Sequence, residues 1–226
     1  MGRLLLIGNS RWHWAERSAD GLRCWHSAAG EVGELADLQA WAAVGPVQSH
    51  ERFALGRQLQ LADVPLHGVP PWLGIDRALV GWRAWRQQRQ SVLVADAGTA
   101  LSLTRVDADG GFVGGLISAG VALQLRALAG ATAQLPAVKA DGVDPTQSVS
   151  AWPSPTVDAM AEGCRRAVAA AIASAAATAE GAQLWLTGGD AELLRPLLLE
   201  QRIHAVHAPN LALEAMAALP VVDWCS

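Results

Sequence analysis

The chain has 226 residues, 51% of them hydrophobic, and a mean hydropathy of +0.21. This composition predicts a large buried core and excludes a disordered chain. The formal net charge of −4 and the scattered basic residues exclude nucleic acid as the main partner. No apolar run reaches the roughly 20 residues of a membrane span, and the first residues lack the pattern of a cleavable signal, so we expect a cytoplasmic protein with no membrane partner.

The cysteines and histidines do not predict a metal centre. Cys24, Cys164 and Cys225 are odd in number and lack metal-ligand spacing, which favours reduced cytosolic thiols. His204 and His207 are three residues apart, but they stand beside Ile203 and Val206 and are more typical of residues flanking a strand or turn.

A β-hairpin is predicted at the start of the chain. Arg3 to Ile7 has the pattern of a buried strand, and the turn Gly8-Asn9-Ser10 follows it. Apolar and polar residues then alternate on both sides of the turn Ala19-Asp20-Gly21.

The next stretch predicts helices and loops. We expect a helix from Glu34 to Ala43, a weak strand from Arg52 to Leu55, a rigid loop from Val69 to Trp72, and a helix from Ala78 to Gln88. Asp76 lies just before this last helix, where a carboxylate is also favoured simply as a structural cap.

A second hairpin is predicted from Ser91 to Gly120. An apolar strand carries Asp96 to its end, and a Gly98-Thr99 turn leads into an alternating strand. Free backbone N–H groups in such a turn can approach phosphate oxygens, and the carboxylate can hold a cation. An ordinary hairpin that needs its glycines for turn geometry alone would have the same pattern.

The two hairpins form an internal repeat. Gly8 corresponds to Gly98 at an offset of 90 residues, Ser10 to Ala100, and Gly21 to Gly110 at an offset of 89. Two copies predict a duplicated α/β fold with a cleft between domains spanning residues 1–89 and 90–226, rather than a solenoid. The repeat also shows that Leu6 stands where the second copy has Asp96.

The remaining chain predicts three helices and a strand. A short helix covers Val121 to Leu128, and Lys139 to Pro155 is a polar loop. Thr156 is expected to cap a helix that reaches Glu180 and whose small residues suit a domain or subunit interface. The last predicted strand runs from Leu184 to Leu186, and the turn Thr187-Gly188-Gly189-Asp190 connects it to a helix that ends at Leu199. A glycine turn at a helix N-terminus is suited to binding a nucleotide, but it is also a common connector.

Taken in order, these motifs resemble those of the type III pantothenate kinases, over nearly the whole chain. The matching motifs are Gly8-Asn9-Ser10, Gly74-Ile75-Asp76-Arg77, Asp96-Ala97-Gly98-Thr99, Gly114-Gly115-Leu116-Ile117 with Gly120, Thr132-Ala133 with Leu135-Pro136, Thr156 with Ala159, and Thr187-Gly188-Gly189. The resemblance implies duplicated ribonuclease H-like (actin-like ATPase) domains with mixed β-sheets and a cleft between them.

The resemblance also implies an activity and a set of site residues. The enzyme would phosphorylate pantothenate with ATP, the first step of coenzyme A biosynthesis, with Asp76 as the general base. Trp72, Gly74, Ile75, Arg77 and Thr156 would bind pantothenate, and Gly8 to His13 would form the first phosphate loop, in which Gly8, Asn9, Ser10 and Arg11 bind ATP. Thr99, Gly188 and Gly189 would also bind ATP, and Asp96 would hold a monovalent cation, K⁺ or NH₄⁺, beside a Mg²⁺ requirement. Members of the family are homodimers.

One departure from the family leaves alternatives open. The family's first loop begins with an aspartate, and here that position is Leu6, so charge that helps to hold Mg²⁺ is missing. Glu16 could replace it only if the hairpin returned it to the loop. We therefore expect an active pantothenate kinase with a modified magnesium site. The alternatives are a catalytically impaired relative that binds a ligand or regulates a partner and, with less support, a sugar or acetate kinase.

Overall fold

The computed structural model describes residues 2–29, 37–45, 47, 56–138, 151–222 and 224. The chain forms two compact units. The first comprises Met1–Gln90, Val106–Val113 and Asn210–Ser226, and the second comprises Ser91–Arg105 and Gly114–Pro209. The functional domains expected over residues 1–89 and 90–226 stay a prediction. No helix in the described part of the chain is long and apolar enough to cross a membrane.

The first sheet has five strands in the order β3-β2-β1-β4-β5. The strands are β1 (Arg3–Ile7), β2 (Arg11–Ser18), β3 (Gly21–Ala28), β4 (Leu38–Ala43) and β5 (Arg57–Gln58). The first three strands pair antiparallel, whereas β4 pairs parallel to β1, and β5 pairs parallel to β4. The predicted first hairpin is confirmed.

The helix expected from Glu34 to Ala43 is wrong in the part that is described, because Leu38–Ala43 is strand β4. Its leucine and alanines favour a helix by propensity, but Leu38, Ala40 and Ala42 are buried beside β1, and pairing in the sheet overrides that preference. The strand expected from Arg52 to Leu55 lies outside the described residues.

The second sheet repeats the first in the order β10-β9-β6-β7-β8. Its strands are β6 (Val92–Ala97), β7 (Ala100–Val106), β8 (Phe112–Ala119), β9 (Gln183–Thr187) and β10 (Val206–His207). Strand β6 pairs parallel to β9, and β9 pairs parallel to β10, as their counterparts do in the first sheet. This repeated topology confirms the duplicated ribonuclease H-like fold.

Five α-helices accompany these sheets in the described residues. They are α1 (Ile75–Gln88), α2 (Val121–Ala131), α3 (Thr156–Thr178), α4 (Ala191–Glu200) and α5 (Leu211–Ala217), with a short 3₁₀ helix at Leu61–Asp63. Helix α5 was not predicted. Thr156 is the first residue of α3 rather than its cap, since the capping position is Pro155 and no side chain caps the helix.

The hydrophobic cores of the two units are built from different side chains. One face of the first sheet is rich in tryptophan, with Trp12, Trp14 and Trp41 packed around Leu5. In the second unit, β6, β7 and β9 pack against α2, α3 and α4 through a core centred on Leu101, Ile172 and Leu186. This packing fixes the central strands β1 and β6, each of which ends at a hairpin turn.

The two hairpin turns differ by one residue. Gly8, Asn9 and Ser10 connect β1 to β2, but only Gly98 and Thr99 connect β6 to β7. In both turns the glycine N–H donates to the carbonyl of the first residue of the next strand, Arg11 in one and Ala100 in the other. The expected match of Ser10 with Ala100 is therefore wrong: Arg11 is the counterpart of Ala100, and Ser10 is the additional residue.

Candidate functional site

In the second unit, the segments that contain Gly120 and Gly188 both approach the end of β6 and the Gly98-Thr99 turn that follows it. Asp96 lies near the end of β6, and an added Cβ on Gly188 would stand 2.6 Å from its Oδ1 and 2.4 Å from the Ala97 carbonyl oxygen. An added Cβ on Gly120 would stand 2.0 Å from the Gly98 carbonyl oxygen. Glycine is therefore required at both positions so that the backbones can approach each other.

This convergence brings two helix N-termini to the same turn. Gly120 precedes α2 and donates its N–H to the Thr99 carbonyl at 3.1 Å, while Asp190 precedes α4 and donates its N–H to the Ala97 carbonyl at 2.9 Å. Neither helix has a side-chain cap. The positive end of a helix dipole favours an anion, so a turn beside two helix N-termini suits phosphate oxygens. Asp96, Thr99 and Gly188 are thus brought together, with Gly189 next in the chain.

Gly120 belongs to this arrangement but was not among the predicted site residues. The motif that contains it was recognised, and a glycine directly before a predicted helix was the available signal. Its role is to let α2 approach the Gly98-Thr99 turn.

In the first unit, the turn from Gly8 to Arg11 offers backbone groups but no carboxylate. Gly8 N–H donates to the Arg11 carbonyl at 3.0 Å, and Asn9, Ser10 and Arg11 are exposed. Leu6 is only 5% exposed within β1. Backbone N–H groups and the Arg11 guanidinium fit a phosphate, whereas none of the described residues at this turn corresponds to Asp96.

Glu16 does not replace the missing carboxylate. It lies opposite Arg3 in the β1–β2 pair, and its Oε1 accepts a hydrogen bond from Arg3 Nε at 3.1 Å. Arg3 and Gly8 are at opposite ends of β1, so Glu16 is held away from the turn. The residues present therefore fit a cation at Asp96 and do not fit a carboxylate-held cation at the first turn.

Asp76 is the second residue of α1, which Gly74 caps without a side-chain hydrogen bond. Its carboxylate folds back over Gly74, where an added Cβ would lie 2.5 Å from Asp76 Oδ1. Burial raises the pKa of Asp76, while hydrogen bonds from backbone N–H groups and the charge of Arg77 act in the opposite direction. A carboxylate with a raised pKa is a stronger proton acceptor than one on the surface.

Arg77 follows directly and is held from a second element of the same unit. Its guanidinium carbon lies 5.8 Å from the centre of the Phe112 ring, at the start of β8. Burial lowers the pKa of Arg77, and the charge of Asp76 opposes that shift. Phe112 was not predicted as a site residue, and its packing with Arg77 has no local signal in the sequence.

Three other predicted substrate-binding residues have different environments. Trp72 is 82% exposed in a turn after two prolines, and Ile75 is 8% exposed, so little of its side chain is available to a ligand. Thr156 is exposed at the start of α3 in the second unit. Their contacts with a substrate stay a prediction.

Comparisons with known proteins agree with this assignment of motifs. The family model for type III pantothenate kinase matches residues 47–178. The type III pantothenate kinase of Thermosynechococcus vestitus is 38% identical over 214 residues, covering 88% of this chain and 82% of the relative. That of Synechococcus elongatus is 37% identical over 227 residues, covering 88% of this chain and 89% of the relative.

Solved structures support the fold. The chain superposes with a TM-score of 0.66 on a Campylobacter jejuni protein described as a Baf family transcriptional activator, at 21% identity and 96% coverage of both chains. It superposes with a TM-score of 0.59 on a Sinorhizobium meliloti protein described as a 2-dehydro-3-deoxygalactonokinase, at 15% identity, covering 100% of this chain and 98% of that one. The family model and the sequence relatives show that the chain belongs to the type III pantothenate kinase family.

Proposed function

We propose that this protein transfers the γ-phosphoryl group of ATP to the primary hydroxyl of pantothenate, giving 4′-phosphopantothenate in the first step of coenzyme A biosynthesis. Family membership supports the reaction. The observation that carries the mechanism is the partly buried Asp76 carboxylate, followed by Arg77, at the N-terminus of α1.

Asp76 acts as the general base. Its carboxylate accepts the hydroxyl proton of pantothenate as the hydroxyl oxygen forms a bond to the γ-phosphorus. The bond from that phosphorus to the β,γ-bridging oxygen breaks, and ADP leaves with the electron pair. The raised pKa of Asp76 makes it a better base for this proton than an exposed aspartate.

Arg77 binds the carboxylate of pantothenate. A guanidinium presents paired N–H donors that match a carboxylate, and packing against the Phe112 ring limits the positions that the side chain can adopt. Gly74 and Ile75 contribute backbone groups, while Trp72 and Thr156 supply exposed surface for the substrate.

ATP binds through backbone N–H groups of glycine turns. In the first unit these belong to Gly8, Asn9 and Ser10, with the Arg11 guanidinium beside them, and in the second unit Thr99, Gly188 and Gly189 serve the same purpose. A divalent cation supplies charge neutralisation on the transferred phosphoryl group when it is bound.

Asp96 holds the monovalent cation, K⁺ or NH₄⁺. Its Oδ1 lies close to the Gly188 backbone at the end of β6, and a carboxylate oxygen is a ligand that such a cation accepts.

The protein works as a homodimer in the cytoplasm. Leu116 and Ile117 are adjacent residues of the edge strand β8, and they are 62% and 65% exposed. Because successive side chains of a strand alternate, each face of this edge strand carries one of these apolar side chains. Exposed apolar side chains at a sheet edge favour association. The small side chains of α3, including exposed Ala170, Ser174 and Ala177, offer a further close-packing surface.

Direct detection of the product tests the reaction. Purified protein is incubated with pantothenate, ATP, Mg²⁺ and K⁺, and 4′-phosphopantothenate is measured by mass spectrometry. Product that depends on both substrates supports the kinase. Binding of pantothenate or nucleotide without product under any metal ion would instead support the catalytically impaired relative, and product only with a sugar or acetate would support the third alternative.

A further inference from the structure

The first hairpin places two histidines on one face of its sheet, beside the glycine turn. His13 on β2 and His26 on β3 are directly opposite each other in the strand register. Directly opposite residues in antiparallel strands project to the same face with their Cβ atoms about 5 Å apart. Trp12 and Trp14 occupy the other face, so the two imidazoles are separate from the tryptophan core.

The His13 ring faces the phosphate turn. An added Cβ on Gly8 would lie 3.6 Å from His13 Nε2, so this nitrogen lies next to the backbone of the turn. The residue opposite His13 on its other side is Leu6, where the second hairpin carries Asp96. His13 therefore has no carboxylate partner on β1, and its neighbours along β2 and across β3 are the cation Arg11 and His26.

We propose that protonated His13 binds the phosphates of the nucleotide, with His26 as a positioning residue, so that nucleotide binding takes up a proton. The inference rests on the proposed function and assigns part of the charge neutralisation at the first turn to these side chains. An imidazolium can donate a charge-assisted hydrogen bond to a phosphate oxygen, and a phosphate brought to Nε2 favours the charged ring.

The surroundings agree with a ring that is neutral until phosphate arrives. Burial, His26 and Arg11 all lower the pKa of His13. Among the described residues packed near this face, β1 offers only Leu6 beside the ring. Two residues before His26 on β3, Cys24 is affected by an acid: its thiol pKa is raised to about 11 by burial and, to a smaller extent, by the charge of Glu214 on α5.

Proton uptake can be measured directly by calorimetry. The purified protein is titrated with the non-hydrolysable ATP analogue adenylyl imidodiphosphate and Mg²⁺, at about pH 7.5, in buffers of equal pH but different ionisation enthalpy. The change of binding heat with buffer gives the number of protons taken up. The variants are His13→Gln and His26→Gln, and His204→Gln is the matched control, because His204 is an exposed histidine in the second unit.

On binding the nucleotide analogue, the wild type and His204→Gln should take up more protons than His13→Gln, by up to about one proton. Below pH 7, His13→Gln should bind the analogue about tenfold more weakly than the wild type. His26→Gln removes a group that lowers the His13 pKa, so its uptake should peak at a higher pH. Equal uptake by the wild type and His13→Gln, with nucleotide bound, would overturn the inference and leave the kinase intact. Absence of both binding heat and product would overturn the proposed function as well.

Discussion

Replacing Gly188 by alanine should destabilise the nucleotide turn of the second unit in two ways: through the backbone conformation at Gly188 and through a steric overlap with the Ala97 carbonyl oxygen. Gly188 has a φ of +92°, and its added Cβ would lie 2.4 Å from the Ala97 carbonyl oxygen, against an ordinary contact distance of 3.4 Å or more. The backbone would have to move by about 1 Å at the carboxylate of Asp96. We expect about 1–2 kcal/mol of lost stability from the left-handed conformation and about 1–3 kcal/mol from the displaced backbone.

Gly181→Ala is the matched control. Gly181 also has a positive φ, +72°, but nothing lies within 4 Å of its added Cβ. This variant should show only the conformational cost. Urea unfolding gives the loss of stability of each variant, and initial rates give KM for ATP. Equal destabilisation by both variants, with KM for ATP unchanged in Gly188→Ala, would refute the close approach as a requirement of the nucleotide site.

Three other substitutions test separate parts of the site. Asp76→Asn should lower kcat by about 10²- to 10⁴-fold. Since burial raises the pKa of Asp76, the stability provided by the protonated acid is lost as pH rises through that pKa, so urea unfolding from acid to neutral pH should show Asn gaining stability relative to wild type. If the carboxylate served only as a favourable charge in the first turn of α1, Asn would instead become up to about 1 kcal/mol less stable than wild type. Leu6→Asp adds a carboxylate opposite His13, so the Mg²⁺ concentration for half-maximal rate should fall, and an unchanged value would count against a modified metal site. Ile117→Glu should weaken self-association in sedimentation equilibrium, with the exposed Ala170→Glu on α3 as the comparison that tells which surface associates.

The parts of the fold that the sequence predicts well are those with a local signal. Both hairpins, α1 and the strand–glycine–helix segment at Thr187 follow from alternation, helical periodicity and turn residues, and the internal repeat correctly indicates a duplicated fold. The strand Leu38–Ala43 was predicted as a helix because its residues have high helix propensity, and only its parallel pairing with distant β1 makes it a strand. A parallel strand buried on both faces is a short, nearly continuous apolar run, and a buried helix can have the same local sequence.

The site was predicted in the same uneven way. Asp76, Arg77, Asp96 and Thr99 stand in motifs, but Gly120 and Phe112 matter because of what they meet in three dimensions. Gly120 is required only once α2 is known to pass over the Gly98-Thr99 turn, and Phe112 only once the start of β8 is known to lie beside α1. Close approaches between separate segments are set by packing, and the residues that allow them are found only in the structure.

The two hairpins have kept one backbone design while their chemistry has diverged. In the second hairpin a two-residue turn is combined with a carboxylate at Asp96, which suits a cation shared with phosphate. In the first, the added Ser10 lengthens the turn, Leu6 replaces the carboxylate, and His13 stands opposite that leucine. A permanently charged side chain opposite Leu6 would be a partly buried cation without a carboxylate on β1, whereas a histidine can remain neutral there until an anion binds. A leucine at position 6 and a titratable base at position 13 are therefore compatible with each other, and together they fit the proposal that the first turn binds phosphate without a carboxylate-held metal ion.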